Sequence, residues 1–163
     1  MKSNSQAGQD LWVVERIADP GTFLDVGCNH PFEWSNTALL EDLGWRGWGV
    51  DVAINREDWA KRPGTVAIQA DATVLDYREI AGTLSVDYLS LDIDHASLAA
   101  LQRILECGVT FSVATVEHDA YRFGDELREG QRRLLLDAGY RMERADVYAD
   151  GFPGFPFEDW WVA

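Results

Sequence analysis

Positive charge is scarce in this chain: 14 Lys and Arg stand against 28 Asp and Glu, for a net charge of -14. Such a surface repels phosphate backbones and anionic lipid over the Debye length, which argues against nucleic acid as substrate and against a membrane surface. Cysteine is nearly absent. Cys28 and Cys107 are the only two, and neither sits in a zinc or redox spacing, so no disulfide framework or thiolate metal site is indicated and both read as packing residues. Long apolar runs are missing too. The first ten residues contain no stretch of signal-peptide type, and nothing later approaches the ~20 apolar residues that span a bilayer, so the expectation is a soluble, cytoplasmic protein. There is no internal repeat, no Ser, Gln or Pro tract, and no Gly-x-Gly-x-x-Gly turn of the dinucleotide-binding kind.

What the chain does have is 47% hydrophobic residues over 163 positions, enough for one domain and one sheet-centred core. Thr22 to His30 organises the rest. Phe23, Leu24 and Val26 form a buried strand that stops at Gly27, where the absent side chain permits a sharp turn beside a ligand. A helix from Ser35 to Leu43 follows and closes on Gly44. Ahead of this unit, Leu11, Val14 and Ile17 place a helix over residues 9–18 against the sheet. Behind it come strands at 48–52, 66–71, 86–94 and 110–118. Helices are expected near 57–61, around Leu98, Leu101 and Leu105, and from an N-capping Asp125 to Gly139. The last two strands, 140–148 and 159–162, are joined by the Gly/Pro/Phe connector 151–157 and should be antiparallel neighbours. Alternating strand and helix predicts an α/β fold with a single doubly wound, mostly parallel, seven-stranded sheet whose last strand is antiparallel.

In such sheets ligands bind beyond the carboxyl ends of the strands. Asp25, Asp51, Asp71, Asp92, Asp94, Glu117 and His118 fall there. A dinucleotide would bring a pyrophosphate into this acidic rim; S-adenosylmethionine carries an ammonium and a sulfonium and no phosphate, so the rim favours the methyl donor. Asp51 is placed to accept both ribose hydroxyls and Asp71 to accept from the adenine amino group.

Ser5-Gln-Ala-Gly-Gln-Asp10, Phe23-Leu-Asp-Val-Gly27, Ser35-Asn-Thr37 with Leu40-Glu41, Gly44-Trp-Arg-Gly47, Tyr88-Leu-Ser-Leu-Asp92 and Val116-Glu-His118 together resemble the FkbM family of S-adenosylmethionine-dependent methyltransferases, in order and with similar spacing to about residue 120. The resemblance implies a class I methyltransferase, Rossmann-like fold. It implies that Asp25 and Gly27 form the first donor-binding motif, that Ser35, Asn36 and Thr37 line the amino-acid end, and that the segment carrying Gln6 caps the donor. The chain departs from the family where Asp92-Ile-Asp94-His95 replaces Asp-x-Glu-Gly.

The acceptor must lose a proton, so a base or metal is wanted beside the methyl group. Asp92, Asp94 and His118 are the candidate catalytic residues, with three readings open. Asp92, Glu117 and His118 resemble the divalent-metal site of catechol-type methyltransferases; His118 is alternatively a metal-free general base; or Glu117 and His118 merely hydrogen-bond neighbouring loops. His30 reads as a loop residue near the donor and His95 as a helix start. Phe152, Phe155, Phe157, Trp160 and Trp161 wall an apolar acceptor pocket, or else belong to the core or a homodimer contact. Trp12, Trp34, Trp45, Trp48 and Trp59 read as packing. The function expected is methylation, on oxygen, of a small hydroxylated molecule of sugar or natural-product type. The alternatives are a donor-binding module that completes a partner's site and, further off, a nicotinamide-dependent reductase.

Overall fold

The computed structural model describes residues 1–81, 85–149 and 151–163. Its strands are β1 (Thr22–Val26), β2 (Arg46–Asp51), β3 (Thr65–Gln69), β4 (Ser85–Leu91), β5 (Thr110–Glu117), β6 (Arg141–Tyr148) and β7 (Pro156–Val162). They form one sheet in the order β3-β2-β1-β4-β5-β7-β6. The pairs from β3 to β5 are parallel, and β7 lies antiparallel between β5 and β6. The α/β, doubly wound architecture expected from the alternation of elements is the one observed.

Central strands of a parallel sheet are covered on both faces, and β1 shows why Phe23-Leu-Asp-Val26 reads as a continuous run. Phe23 faces one core with Trp12, Leu40, Trp45, Tyr88 and Trp160, while Leu24 and Val26 face the other with Leu89, Leu101, Ile104 and Leu135. Helix α1 (Gln9–Arg16) seals the first core. Its inward face differs from the expected one. Trp12 and Val13 are fully buried, and Leu11, Val14 and Ile17 only flank them, because Trp12 packs on Trp160 of β7 with ring centroids 4.9 Å apart.

Helix α2 (Ala38–Asp42) is shorter than the sequence suggested, since residues 35–37 form its entry: the Ser35 hydroxyl accepts from the Thr37 and Ala38 N–H groups. The short α3 (Arg56–Trp59) is capped by the Asn55 side chain. Helix α4 (Tyr77–Ala81) was not anticipated, because only Tyr77 and Ile80 mark its inner side. Helix α5 (Ser97–Glu106) and the short α6 (Ala120–Phe123) precede α7 (Asp125–Asp137). Asp125 is not the N-cap of α7: Gly124 holds that position, and the Asp125 carboxylate instead takes Arg128 Nη2 at 2.7 Å. Strand β7 starts at Pro156, three residues before the expected boundary, so Trp160 and Trp161 are core residues.

Between β1 and α2 the chain has no regular structure, and a single side chain organises it. Arg62, 2% exposed, pairs through Nε with Glu41 at 2.9 Å, and Nη1 donates to the Pro31 carbonyl, Ser35 Oγ and Thr37 Oγ1. Nη2 donates to the Thr37 carbonyl at 3.0 Å. The guanidinium is packed over Trp59 and near Phe23. Burial by itself would lift the Glu41 carboxyl; hydrogen bonds from Thr65, the Gly64 N–H and Arg62 overcome this and hold it below its ordinary value. Removing one partner of such a pair leaves the other desolvated, so Arg62→Met should cost about 3–5 kcal/mol of stability in urea unfolding. In the parent, the Glu41 contribution is present above the unfolded carboxylate pKa and is lost as pH falls through the folded one. The gap between parent and variant should therefore narrow as the titration is taken from neutral pH toward acid.

Candidate active site

The carboxyl ends of β1, β2 and β4 open on a crevice of about 530 Å³. Gly27 forms its floor with φ +89°, and a Cβ there would lie 1.7 Å from the Asp92 carbonyl oxygen. Only glycine fits, because Gly27 N–H donates to Val50 and the Asp92 N–H donates to Val26, drawing the three strand ends together.

Asp25 is buried in the wall of the crevice. Desolvation pushes its carboxyl up against the opposing pull of a 2.7 Å hydrogen bond from Thr37 Oγ1 and the charge of Arg62. Asp51, half-buried at the tip of β2, accepts from the Asn29 and Ala53 N–H groups, each at 3.0 Å, which fixes the carboxylate and leaves acceptor capacity facing the crevice. Asp71 is exposed at the rim. The Thr73 hydroxyl and N–H both donate to it and lower its carboxyl.

Asn36 donates to Ser90 Oγ at 3.0 Å, while its buried Oδ1 has no partner among the described residues. Gln6 reaches the mouth because the buried Asp10 carboxylate gathers Ser3, Asn4 and Ser5 around itself, folding the N-terminal segment over the opening. Gln6, Asp25, Gly27, Ser35, Asn36, Asp51 and Asp71 thus all line one crevice.

The acidic residues of β4 and β5 are arranged differently from the trio read in the sequence. Asp92 and Glu117 are hydrogen-bonded to each other, and both carboxyls are raised by desolvation, Glu117 further by the neighbouring Asp92 charge. Glu117 Oε2 also accepts the Asp94 N–H at 3.1 Å. His118 is not with them. Consecutive residues at a strand end point to opposite sides, so when Glu117 faces the crevice His118 faces away from it. It is fully buried, its Nδ1 accepts the Ala120 N–H, and its Nε2 lies 3.7 Å from Asp159 and 3.8 Å from Asp146. Arg132 pairs with the same two aspartates. Burial would lift the Asp159 carboxyl, but Arg132, His118 and the Asp146 N–H bring it down to about 2.

The expected metal set of Asp92, Glu117 and His118 is therefore not assembled, and no crevice-lining atom belongs to His118. The carboxylates that do converge are Asp94, Glu117 and Asp119. Arg122 already neutralises two of them, donating to Asp94 Oδ1 at 3.0 Å and Asp119 Oδ2 at 3.1 Å.

A second cavity, of about 670 Å³, adjoins the first and shares Gln6, Trp34 and Glu117 with it. Phe152, Phe155 and Phe157 wall it together with Tyr121, whereas Trp160 and Trp161 lie in the core. Trp12, Trp45 and Trp59 are packing residues as read, and Trp48 is partly buried against the core. Trp34 is not a packing residue. It is 72% exposed with φ +53° and stands between the two cavities. The sequence signal was its setting: a tryptophan among polar loop residues, outside any apolar periodicity.

No family model matches the chain, and no curated protein matches it. Among solved structures, a TehB-like SAM-dependent methyltransferase from Corynebacterium glutamicum is 17% identical, with TM-score 0.68 over 98% of this chain and 89% of that one. The 1,6-didemethyltoxoflavin-N1-methyltransferase of Burkholderia thailandensis, solved with 1,6-didemethyltoxoflavin and S-adenosylhomocysteine, is 14% identical with TM-score 0.60 over 94% of this chain and 74% of that one. A ribosomal protein L11 methylase from Lactobacillus delbrueckii is 12% identical with TM-score 0.61 over 95% and 76%. The fold is that of the class I methyltransferases. The last two of these proteins differ in what their names say they methylate.

The Asp92–Glu117 pair carries a stability consequence. A carboxyl whose folded pKa lies above its unfolded value costs stability from the unfolded pKa upward, and the loss grows until the folded pKa is passed. Glu117→Gln keeps an acceptor for the Asp94 N–H and removes the charge. It should be more stable than the parent by about 1 kcal/mol or more at neutral pH, the equivalent of a shift of one unit, with the difference vanishing near pH 4 in paired thermal melts.

Proposed function

We propose that this chain is an S-adenosylmethionine-dependent methyltransferase acting on a hydroxyl of a small molecule. The observation that carries the reading is the acidic crevice at the ends of β1, β2 and β4, cradled by Gly27 and bordered by Asp51, with no glycine-rich phosphate turn. The residues present suit the donor. Asp51 would take the ribose hydroxyls, Asp71 the adenine amino group, and the unpartnered Asn36 Oδ1 is an acceptor suited to the donor's ammonium. A pyrophosphate in the same place would face Asp25, Asp51, Asp71 and Asp92. The order of motifs that resembles the FkbM family supports a place near that family.

Bound there, the donor supplies a methyl group on a sulfonium, which leaves as a neutral thioether after in-line displacement. The protein's share is orientation and the acceptor's proton. Holding two reactants in line can be worth ~7–11 kcal/mol. Glu117 borders both cavities, so the acceptor oxygen would meet the Asp92–Glu117 pair and its proton would pass to that shared carboxylate. His118, turned toward Asp146 and Asp159, takes no part; it ties β5 to the last two strands.

S-adenosylhomocysteine should raise the melting temperature of the parent in a saturable way. Asp51→Ala should abolish the shift at the same ligand concentration, and Asp92→Asn should retain it. An absence of any shift at millimolar ligand would remove the reading.

A further inference from the structure

Resting on the methyltransferase reading, we infer that the acceptor is a planar aromatic molecule carrying its reactive hydroxyl on the ring, stacked in the second cavity with that hydroxyl against Glu117. The walls come first. Trp34, Tyr121, Phe152 and Phe155 are between 50% and 72% exposed, and all four line this one cavity. Large aromatics left this open to water mark a binding surface when they converge. Tyr121 and Phe155 meet edge to face at 5.5 Å, which leaves ring faces to receive a further ring. A volume of about 670 Å³ is that of a small-molecule site.

The polar side chains of the lining are few: Gln6, Glu117, Asp119 and Arg122 beside the aromatic walls. A sugar presents hydroxyls on every side, and each one placed against Phe152, Phe155 or Phe157 would be desolvated without a partner. Charge narrows the class further. Arg122, the cation that lines this cavity, is committed to Asp94 and Asp119, so an anionic acceptor would meet Glu117 and Asp119 without a free counter-charge.

The base agrees with the walls. A carboxylate desolvated beside a second carboxyl is a stronger base than one in water, and a phenolic hydroxyl, with a pKa of about 10, is within reach of such a base. An aliphatic hydroxyl is far less acidic and would give up its proton to the same base less readily.

The test is calorimetric titration of the chain saturated with S-adenosylhomocysteine, using 2-naphthol, 2-naphthoate and methyl glucoside as probes. Expected is binding of 2-naphthol at least tenfold tighter than either of the others. The Phe152→Ala/Phe155→Ala variant, altered at two exposed positions, should weaken 2-naphthol at least tenfold and leave S-adenosylhomocysteine within twofold. Equal or tighter binding of methyl glucoside or 2-naphthoate overturns the inference, as does 2-naphthol binding indifferent to the double substitution; in both cases retained S-adenosylhomocysteine binding leaves the methyltransferase reading standing. Failure of S-adenosylhomocysteine to bind the parent overturns that reading, and the acceptor assignment with it.

Discussion

A buried guanidinium holds the site in shape. The segment between β1 and α2 can satisfy its backbone neither in a ladder nor in a helix, yet it must cross the top of the sheet where the crevice opens. Arg62 answers this from the far side of α3, reaching the carbonyls of Pro31 and Thr37 and two hydroxyls with one planar fork. Lysine could not substitute, because a single ammonium cannot span acceptors so far apart in one plane. The charge is tolerated because Glu41 is paired to it and because Trp59 and Phe23 lie against the guanidinium. Through this one residue, the packing of α3 on the sheet fixes where Trp34, Ser35 and Asn36 stand.

Held loops can carry strain, and here the strain is local to the cavities. Among the described residues, Asn29, Trp34, Asp94, Asp119 and Asp146 adopt positive φ without being glycine, and the first four line one cavity or the other. Each such residue costs of order 1–3 kcal/mol and persists only where the surroundings over-determine it. Asn29 is held by Asp51 and by Trp59 Nε1, Asp94 by Glu117 and Arg122, and Asp119 by Arg122 and the Phe157 carbonyl. The loops around the two cavities are thus anchored in part by Asp51 and Glu117, carboxylates that themselves line the crevice.

The sheet was legible because its signals are local. Short apolar runs ending in Gly27, Asp51 and Asp92 announce parallel strands whose tips share one edge, and the residues expected around the donor do share it. What escaped depends on side-chain direction and on long-range partners. Whether Glu117 or His118 faces the crevice turns on the pleat phase at the end of β5, and that phase is set by β7, whose Phe157 carbonyl takes the N–H groups of both His118 and Asp119. Arg62, in a short Lys-Arg-Pro-Gly stretch, looks like an ordinary surface cation until its partners 21 to 31 residues upstream are known. Helix α1 shows the same limit. Its 3.6-residue spacing was right, but the partner that chose its inner face, Trp160, lies at the other end of the chain.

Strand order explains why two like charges meet at all. In the parallel pair β4 and β5, Leu91 is registered with Val116, so the next residue on each strand, Asp92 and Glu117, must emerge side by side beyond the last ladder rung. Both come off the sheet into a partly desolvated corner, where they can be neighbours only by sharing a proton. An arrangement that placed any other strand between β4 and β5 would separate them and restore ordinary carboxylates. The topology that builds the crevice at β1, β2 and β4 therefore places, one strand further along, a pair of desolvated carboxyls raised above their ordinary values, and it does so where the aromatic cavity begins. The proposed donor site, base and acceptor site would all follow from the succession β2-β1-β4-β5, with β7 fixing the last of them by turning Glu117 inward.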